Sequence, residues 1–363
     1  CKSPWRIKRV RSSCLILGST MAGPPSVLVP CFPIHSRRVW PLLRDPDALR
    51  LGSYNIRVDH EADITGREWE PHRRPLAAEA VVDLDCDLLL IQEPGPRQSE
   101  DLAADLREEG FHVLARPCDP KQWEADDGGA RRGQAFDGNG FIWRASRMEL
   151  VPGSVKTFWF STTPESPGGD AWDASGFLRT GVEAQFKDLK TDRIWHAITA
   201  HFDHVGERAR VESARLLMER ARLAARDDPE KTVVVGGDFN TFPDAHGPET
   251  YSALVHAGSD TESAERSAKS RRCAEFIDVR AADDVEIYDF GVSGSSWKGW
   301  PGERFCRDEN LALHGATAGQ DASRFDHIFV QRSAQVKWTG VVEGPSWASA
   351  SDHVPIVAEF LSR

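Results

Sequence analysis

Two polar side chains stand directly after one of the most apolar stretches of the sequence. Residues 231–235 lead into the run Gly236-Gly237-Asp238-Phe239-Asn240. A β-branched run followed by two glycines is typical of a core strand that breaks into a tight turn, where the backbone approaches something bound. Side chains two residues apart share one face of a strand, so Asp238 and Asn240 are expected to lie side by side. Asp238 can hold a water or a metal ion, and Asn240 can donate hydrogen bonds to a developing oxyanion. The alternative is an Asx turn, in which both side chains only satisfy backbone groups.

The same arrangement recurs five more times along the chain. Acidic, histidine or asparagine side chains border strand-like runs at Asn55, at Glu93, at His201 with Asp203 and His204, at Asp326-His327 and at Ser351-Asp352-His353. The first three clusters follow their runs, and the last two precede theirs. Chance seldom repeats such an arrangement, which favours a shared chemical purpose over separate turns.

Taken in order, six short pieces resemble the signature of the endonuclease/exonuclease/phosphatase superfamily, which includes deoxyribonuclease I-like metal-dependent phosphoesterases. The resemblance spans residues 50–361, and its strength lies in the order of pieces that are weak alone. A further segment, Phe158-Trp159-Phe160-Ser161-Thr162-Thr163-Pro164, is similar to segments in an uncharacterised, largely bacterial branch. The six pieces are Tyr54-Asn55-Ile56-Arg57, Ile91-Gln92-Glu93, Thr199-Ala200-His201-Phe202-Asp203-His204, Gly237-Asp238-Phe239-Asn240, Phe325-Asp326-His327-Ile328 and Ser351-Asp352-His353-Val354-Pro355.

The resemblance implies an α/β four-layer sandwich, with two mixed β-sheets packed face to face, flanking helices and a site at one end of the sheets. The residue patterns agree, because strand-like runs dominate and helical stretches are few. The predicted helices cover 75–84, 98–109 and 207–226. The predicted strands cover 51–58, 88–92, 139–143, 155–160, 181–187, 194–200, 231–236, 325–330, 335–342 and 354–361.

The resemblance also implies a metal site for Mg²⁺ or Mn²⁺. Glu93 matches the carboxylate that holds the metal, Asn55 matches the asparagine that orders the metal and carboxylate network, and Asp352 is expected near the metal. Hard oxygen ligands of this kind suit both ions. Arg57 departs from relatives that carry an acid two residues after the asparagine, which puts a second carboxylate ligand in doubt and leaves Asp59 as a substitute.

The implied catalytic residues are His201, Asp238, Asn240, Asp326 and His353. By resemblance, His201 and His353 contact the scissile phosphate, and Asp326 fixes the tautomer of His353, as a buried acid orients a base. Either Asp238 or His353 removes the proton from the attacking water. A separate interpretation of His201, Asp203 and His204 is a transition-metal site, since imidazole and carboxylate suit zinc or iron.

Three residues are candidates for substrate contact. Arg179, like Arg57, is a basic residue able to line the cleft. Trp297 and Trp300 lie in or just after the Gly/Ser-rich stretch 291–296, and aromatic rings near a loop can stack a base or a sugar. The alternatives are a solvated surface for the arginines and core packing for the tryptophans.

These residues favour a divalent-metal-dependent phosphoesterase, specifically a phosphodiesterase or nuclease of the endonuclease or 3'-5' exonuclease type. The first alternative is a phosphatase acting on an inositol phosphate or another small phosphomonoester. The second is a non-catalytic relative that keeps the fold and binds a phosphorylated ligand. Fold and metal site are shared among these activities, so the motifs do not choose the substrate.

Composition bounds the organisation of the chain. With 363 residues and 40% hydrophobic content, and with motifs spread over nearly its whole length, one catalytic domain over residues 45–363 is expected. Seven cysteines without a CxxC pair favour a reduced, intracellular compartment. The sequence holds no 18-residue apolar run, which argues against a membrane span. We expect a monomer, and residues 258–275 are predicted to be a surface insertion.

Residues 1–44 differ from the rest, because they carry eight basic residues and no acid. Three interpretations of this basic tail stay open: an organelle transit segment, an extension of the gene model, and a nucleic-acid-binding arm. Out of a formal charge of −11 for the whole chain, the other 319 residues hold −19. An acidic body disfavours long duplex DNA, so the expected partner is a small phosphoester, a nucleotide or a single-stranded nucleic acid.

Overall fold

The computed structural model describes residues 44–60, 63, 66–124, 137–241, 248–256, 275–289, 296–297, 324–344 and 346–361. Residues 1–43 of the predicted basic tail, residues 258–274 of the predicted insertion and Trp300 lie outside these ranges. Among the described helices, none is long and apolar enough to cross a membrane.

Fourteen strands and five α-helices follow one another along the described chain, with short helical turns at Trp69–Arg73 and Val279–Ala281. In chain order they are β1 (Leu49–Asn55), α1 (Arg74–Leu84), β2 (Leu88–Gln92), α2 (Pro96–Asp105), β3 (Phe111–Pro117), α3 (Pro120–Glu124), β4 (Gly138–Arg144), β5 (Met148–Leu150), β6 (Lys156–Trp159), β7 (Thr180–Asp188), β8 (Ile194–His201), α4 (Glu207–Asp227), β9 (Thr232–Asp238), α5 (Pro248–His256), β10 (Phe276–Asp278), β11 (Glu286–Ile287), β12 (Asp326–Gln331), β13 (Val336–Val341) and β14 (Ile356–Phe360).

The strands form two mixed sheets of seven described strands each. The first sheet has the order β11-β13-β14-β1-β2-β4-β3, and the second has the order β10-β12-β9-β8-β7-β5 with β6 paired to β7. In each sheet a parallel pair stands at the centre, β1 with β2 and β8 with β9, between antiparallel neighbours. The predicted four-layer sandwich of two mixed sheets with flanking helices is confirmed.

Side chains of the central strands alternate between two hydrophobic cores. Successive side chains of a strand point to opposite faces of its sheet. In β9, Val234 belongs to the core between the sheets, whereas Val233 and Val235 belong to a second core that includes Leu217 and Ala221 of α4. The second sheet is therefore covered on both faces. Because both faces of β9 are buried, its sequence is a continuous apolar run.

The same alternation brings polar side chains to the edge of the inter-sheet space. Asn55 follows Leu51 on its face of β1, and Asp238 follows Val234 on its face of β9. His201 and Asp326 each pair directly with Asp238 in the strand register. Gly237 lies beside them because a Cβ atom there would stand 1.9 Å from the carbonyl oxygen of Ala200. The ends of four central strands thus converge on one place.

Each of the ten predicted strands and three predicted helices has a counterpart in the structure, with bounds shifted by a few residues. The pattern missed β3, whose side chains are mostly half-buried or exposed and so lack a clear apolar face. It also missed α3 and α5 and the short strands β5, β10 and β11, each too short to show a period.

Candidate active site

One asparagine joins carboxylates from the two sheets. Asn55 ends β1, and its Nδ2 donates to Glu93 Oε1 at 2.9 Å and to Asp238 Oδ2 at 3.0 Å. The other oxygen of Glu93 accepts from the backbone N–H of Val58 at 3.0 Å. All three polar side chains are buried. The structure therefore brings together the predicted residues Asn55, Glu93 and Asp238.

Three residues at the site have an unusual backbone conformation. Arg57, Glu93 and Asn240 have φ values of 59°, 63° and 47°, in the left-handed region that non-glycine residues rarely adopt. Each lies just beyond or at the end of a central strand. Strained conformations of this kind persist where surrounding contacts fix them, and they cluster at functional sites.

His353 lies between two of the carboxylates, Asp326 and Asp238. Its Nδ1 lies 2.9 Å from Asp326 Oδ2, and its Nε2 lies 3.5 Å from Asp238 Oδ2. The hydroxyl of Ser351 accepts from the His353 backbone N–H at 3.1 Å and donates to the carbonyl oxygen of Asn55 at 2.8 Å. With Nδ1 bound to the carboxylate, the ring presents Nε2 to the carboxylate cluster.

His201 lies between Asp238 and an arginine. Its Nε2 is 3.5 Å from Asp238 Oδ2 and 3.2 Å from Asn240 Nδ2, and its Nδ1 is 3.0 Å from the NH1 of Arg179. The same NH1 donates to Asp137 Oδ2 at 2.8 Å. Asn240 thus reaches the site beside His201, as the resemblance implies.

Glu93 and Asp238 stay ionised because cationic and hydrogen-bonding groups outweigh their burial. Burial raises the pKa of Glu93, but Arg57, His201 and the hydrogen bonds from Asn55 and Val58 hold that pKa well below its usual range. Burial likewise raises the pKa of Asp238, and His353, His201 and Asn55 lower it further than burial raises it. The site therefore holds buried negative charge at neutral pH.

The protonation of His353 reflects the same negative charge. Burial alone would lower its pKa, but Asp326 and Asp238 raise it to about 10. The negative charge of these two carboxylates thus favours the protonated ring.

The donor set fits a hard divalent cation. Asp238, Asp326 and His353 offer ligand atoms that all lie within 4.8 Å of one another. Asp326 Oδ1 is buried and has no hydrogen-bond partner among the described residues. Carboxylate oxygens are the ligands that Mg²⁺ and Mn²⁺ prefer. Glu93, which Asn55 joins to Asp238, adds one more carboxylate to these donors.

Asp352 lies at the rim of this cluster. It is half-buried, and its Oδ1 is 3.4 Å from the hydroxyl of Ser351. Although burial lowers the pKa of Arg57, the charges of Asp352, Glu93 and Asp63 raise it overall. Asp352 therefore lies near enough to Arg57 and His353 for its charge to act on both, and a ligand role for it stays a prediction.

Asp203 has a structural task. Its Oδ1 accepts from the backbone N–H groups of Val205 at 2.9 Å and Gly206 at 2.7 Å, at the start of α4. His204 Nδ1 lies 3.1 Å from the NH2 of Arg179. This geometry favours a turn and helix-start role for Asp203 over a transition-metal site.

The predicted substrate residues occupy different environments. Arg179 is buried, with its side chain 4% exposed, between Asp137 and the two histidines His201 and His204. Trp297 is half-buried, pairs its backbone with His353 and packs its ring edge-on against Phe325 at 5.7 Å between centroids. Both lie next to the site, Arg179 inside it and Trp297 at its wall.

Two polar residues of the site were missed from the sequence. Asp137 stands just before β4, as Asp326 stands at the start of β12, so the pattern of an acid beside a strand was present. Ser296 accepts from the backbone N–H of Asp326 at 3.0 Å. Its place in a Gly/Ser-rich stretch gave no such signal.

The chain belongs to the Endonuclease/Exonuclease/phosphatase family, whose family model matches residues 52–353. Members of this family are hydrolases that act on phosphoester bonds. The geometry above is thus that of a phosphoesterase fold. A comparison with curated proteins found no match.

Solved structures share this fold. A mannosyl-6-phosphatase of Bacteroides thetaiotaomicron VPI-5482 is 24% identical, with 86% of this chain and 100% of that chain covered and a TM-score of 0.63. An endonuclease/exonuclease/phosphatase protein from Bacteroides vulgatus is 25% identical, with 86% and 98% covered and a TM-score of 0.63. The human Nocturnin catalytic domain with bound sulfate is 16% identical, with 86% and 94% covered and a TM-score of 0.55.

Proposed function

We propose that the protein is a divalent-metal-dependent phosphodiesterase that cleaves small or single-stranded phosphodiesters. The observation that carries the proposal is the single network in which Asn55, Glu93, His201, Asp238 and His353 meet. Four other positions predicted from the sequence join the same network or its rim: Asn240, Asp326, Asp352 and Arg179. A relative that only bound a phosphorylated ligand would not need the complete set.

Glu93 and Asp238 are the residues that would hold the metal, with Asn55 fixing the position of both carboxylates. A bound Mg²⁺ or Mn²⁺ polarises a phosphoryl oxygen and neutralises charge on the phosphate. A divalent cation bound beside His353 would lower the pKa of that ring by charge repulsion. Asp238 and His353, which lie 3.5 Å apart, would then be the two groups able to take the proton of an attacking water. Asp326 holds the His353 ring in place for that role.

His201 and Asn240 act on the phosphate from the other side of Asp238. The Asn240 Nδ2 donates to the carbonyl oxygen of Phe202 at 3.1 Å, which fixes its amide beside the His201 ring. Donors held in place before the reaction stabilise charge that develops on phosphoryl oxygens. Arg179 adds a buried positive charge next to the same ring.

The charge of the chain supports a small or single-stranded substrate. Residues 45–363 carry −19, and long polyanions require a basic surface for binding. We expect weak binding to long duplex DNA for a protein that lacks residues 1–44. Steep salt-dependent affinity for duplex DNA in that shortened protein would contradict this substrate class.

A second candidate is hydrolysis of a sugar phosphomonoester. The likeness to the mannosyl-6-phosphatase, which spans all of that chain, supports it. Arg57 supports it as well, since it offers a partly exposed cation near Glu93, and a terminal phosphate carries more charge than a diester.

A substrate panel tests both candidates. Purified protein would be incubated with bis-p-nitrophenyl phosphate, p-nitrophenyl phosphate, single-stranded RNA and DNA, inositol phosphates and hexose 6-phosphates, each with Mg²⁺, with Mn²⁺ and with EDTA. We expect metal-dependent cleavage of the diester and the single strands that is lost in EDTA and in Asp238→Asn. Preference for the monoesters would favour the second candidate, and full activity in EDTA would refute the metal-dependent hydrolase.

A reduced, intracellular compartment and a monomeric state stay predictions. Cys86 and Cys118 are both buried. Burial is the largest of several causes that together raise the pKa of the Cys118 thiol, which keeps this thiol unreactive. Size-exclusion chromatography with light scattering would test the monomer.

A further inference from the structure

Arg57 places a guanidinium beside the outer oxygen of Glu93. Its NH1 lies 4.0 Å from Glu93 Oε2, and its NH2 donates to Asp63 Oδ1 at 3.2 Å. Its Nε is buried and has no hydrogen-bond partner among the described residues. The guanidinium is therefore close to the carboxylate cluster, while part of its donor capacity is unused.

Arg57 and Arg179 differ in access to solvent. The Arg57 side chain is 24% exposed, whereas that of Arg179 is 4% exposed and is enclosed by Asp137 and two histidines. A phosphate that enters the site can contact the first arginine directly. The second is placed to orient histidine rings.

A second arginine holds the backbone that carries Arg57. Arg73 is fully buried, and its guanidinium donates to the carbonyl oxygens of Ile56 at 3.1 Å, Arg57 at 2.9 Å and Val58 at 3.1 Å. Arg57 keeps its left-handed φ of 59° under these bonds, and its N–H donates to Asn55 Oδ1 at 2.9 Å. Such fixed strain indicates that the direction of the Arg57 side chain is specified.

We propose that Arg57 is a substrate-binding residue that contacts a non-bridging oxygen of the scissile phosphate and occupies the place of a second cation beside Glu93. This inference rests on the proposed hydrolysis of phosphoesters at the same site. The two oxygens of Glu93 face different groups. Oε1 faces Asn55 and His201, and Oε2 faces Val58 N–H and Arg57.

A consequence concerns the number of metal ions. A divalent cation on the Oε2 side of Glu93 would meet a guanidinium that is already held there, and like charges repel at this separation. Arg57 therefore excludes a second divalent ion from the Oε2 side of Glu93 and leaves one ion on the side of Asn55 and Asp238. The guanidinium binds phosphate oxygens with the geometry that arginine offers and a metal ion does not.

Two binding measurements test the inference without relying on turnover. Isothermal titration with Mn²⁺ is expected to give one ion per chain for the wild-type protein. With Mn²⁺ present, inorganic phosphate should bind Arg57→Ala about tenfold more weakly than wild type, with Arg57→Lys between them. Mn²⁺ affinity should be unchanged or higher in Arg57→Ala, because a positive charge has left the site.

Arg74→Ala is the matched control, since Arg74 is paired to Asp105 and Glu70 away from the site. It removes an arginine charge and should leave phosphate affinity at the wild-type value. Thermal melting checks the fold of each variant, and Arg57→Lys serves if Arg57→Ala does not fold. Two Mn²⁺ ions per wild-type chain, or wild-type phosphate affinity in a folded Arg57 variant, would overturn the inference. Arg57-dependent phosphate binding without hydrolysis of any ester would support it and contradict only the proposed function.

Discussion

Strand β1 carries a buried charged network at each of its two ends, and the networks differ in how completely they are paired. At its start, Glu359 Oε1 accepts from Arg50 Nε at 3.1 Å and NH2 at 2.7 Å, and Oε2 accepts from Trp338 Nε1 at 2.7 Å. The side chains of Arg50 and Glu359 are fully buried. The Arg50 guanidinium pairs with this buried carboxylate, and the partly exposed Asp85 lies 3.9 Å from the Arg50 NH1. Both carboxylate oxygens of Glu359 have donors.

At its end, β1 carries Asn55 into a network that is not fully paired. Asp238 Oδ2 is shared by Asn55, His201 and His353, at 3.0, 3.5 and 3.5 Å. Asp326 Oδ1 has no hydrogen-bond partner in the described part of the chain. Burying charge without full pairing is costly unless something binds there. The Arg50–Glu359 pair joins β1 to β14, and the less completely paired, open network is where we propose that a cation and a phosphate bind.

The largest expected effect falls on the histidine of the open network. His353→Ala should lower kcat by on the order of 10² or more, because the ring held by Asp326 is lost from the reacting phosphate. Half-saturation by Mn²⁺ should change little. Steady-state kinetics across a metal titration measures both quantities, and wild-type kinetics in this variant would show that the site is assigned wrongly.

Matched glutamate substitutions separate the two ends of β1. Glu93→Gln should raise the Mn²⁺ concentration for half-saturation roughly tenfold or more, since a hard anionic oxygen is lost. Glu359→Gln should leave that concentration unchanged but lower the free energy of unfolding by about 3 kcal/mol, because the buried Arg50 loses its nearest counter-charge. Urea denaturation and metal titration on both variants provide the measurements.

The contrast between the two ends of β1 would be wrong if Glu93→Gln and Glu359→Gln changed metal response and stability to the same extent, or in the opposite pattern. A large loss of stability in Glu93→Gln with unchanged metal response would mean that the open network is structural.

A smaller effect is expected from Asp137, which holds Arg179 beside His201. Asp137→Asn should lower kcat about tenfold through misplacement of Arg179, as loss of a supporting carboxylate commonly does. Asp188→Asn is the control, since Asp188 forms a buried pair with Arg147 at 2.6 and 2.9 Å outside the site. Both variants should lose stability, but only Asp137→Asn should change kcat. Rescue of kcat by Asp137→Glu would support a positioning role, and equal kcat losses in the two asparagine variants would contradict it.

Much of this architecture was readable from the sequence because the site residues stand at strand ends. Strong apolar runs such as β9 predicted the strands. The polar residue beside each run predicted the sheet edge at which the strand ends meet. What could not be read was pairing across the fold. The contact between Asp137 and Arg179, 42 positions apart in the chain, depends on β4 and β7 lying in different sheets. The donation from Asn55 to Asp238 depends on the separation of the sheets in the same way.

The smallest effect is expected for Trp297, whose ring both packs against the protein and is partly exposed to a substrate. Its ring is half-buried and packs edge-on against Phe325, which leaves less of it available to a base, so the lower end of the stacking range of about 1–3 kcal/mol applies. Trp297→Ala should therefore raise KM for a single-stranded oligonucleotide about fivefold. It should leave KM for bis-p-nitrophenyl phosphate near the wild-type value, and Trp297→Phe should retain most of the oligonucleotide affinity. An equal rise in KM for both substrates would assign Trp297 to the wall that supports His353 and would remove it from substrate recognition.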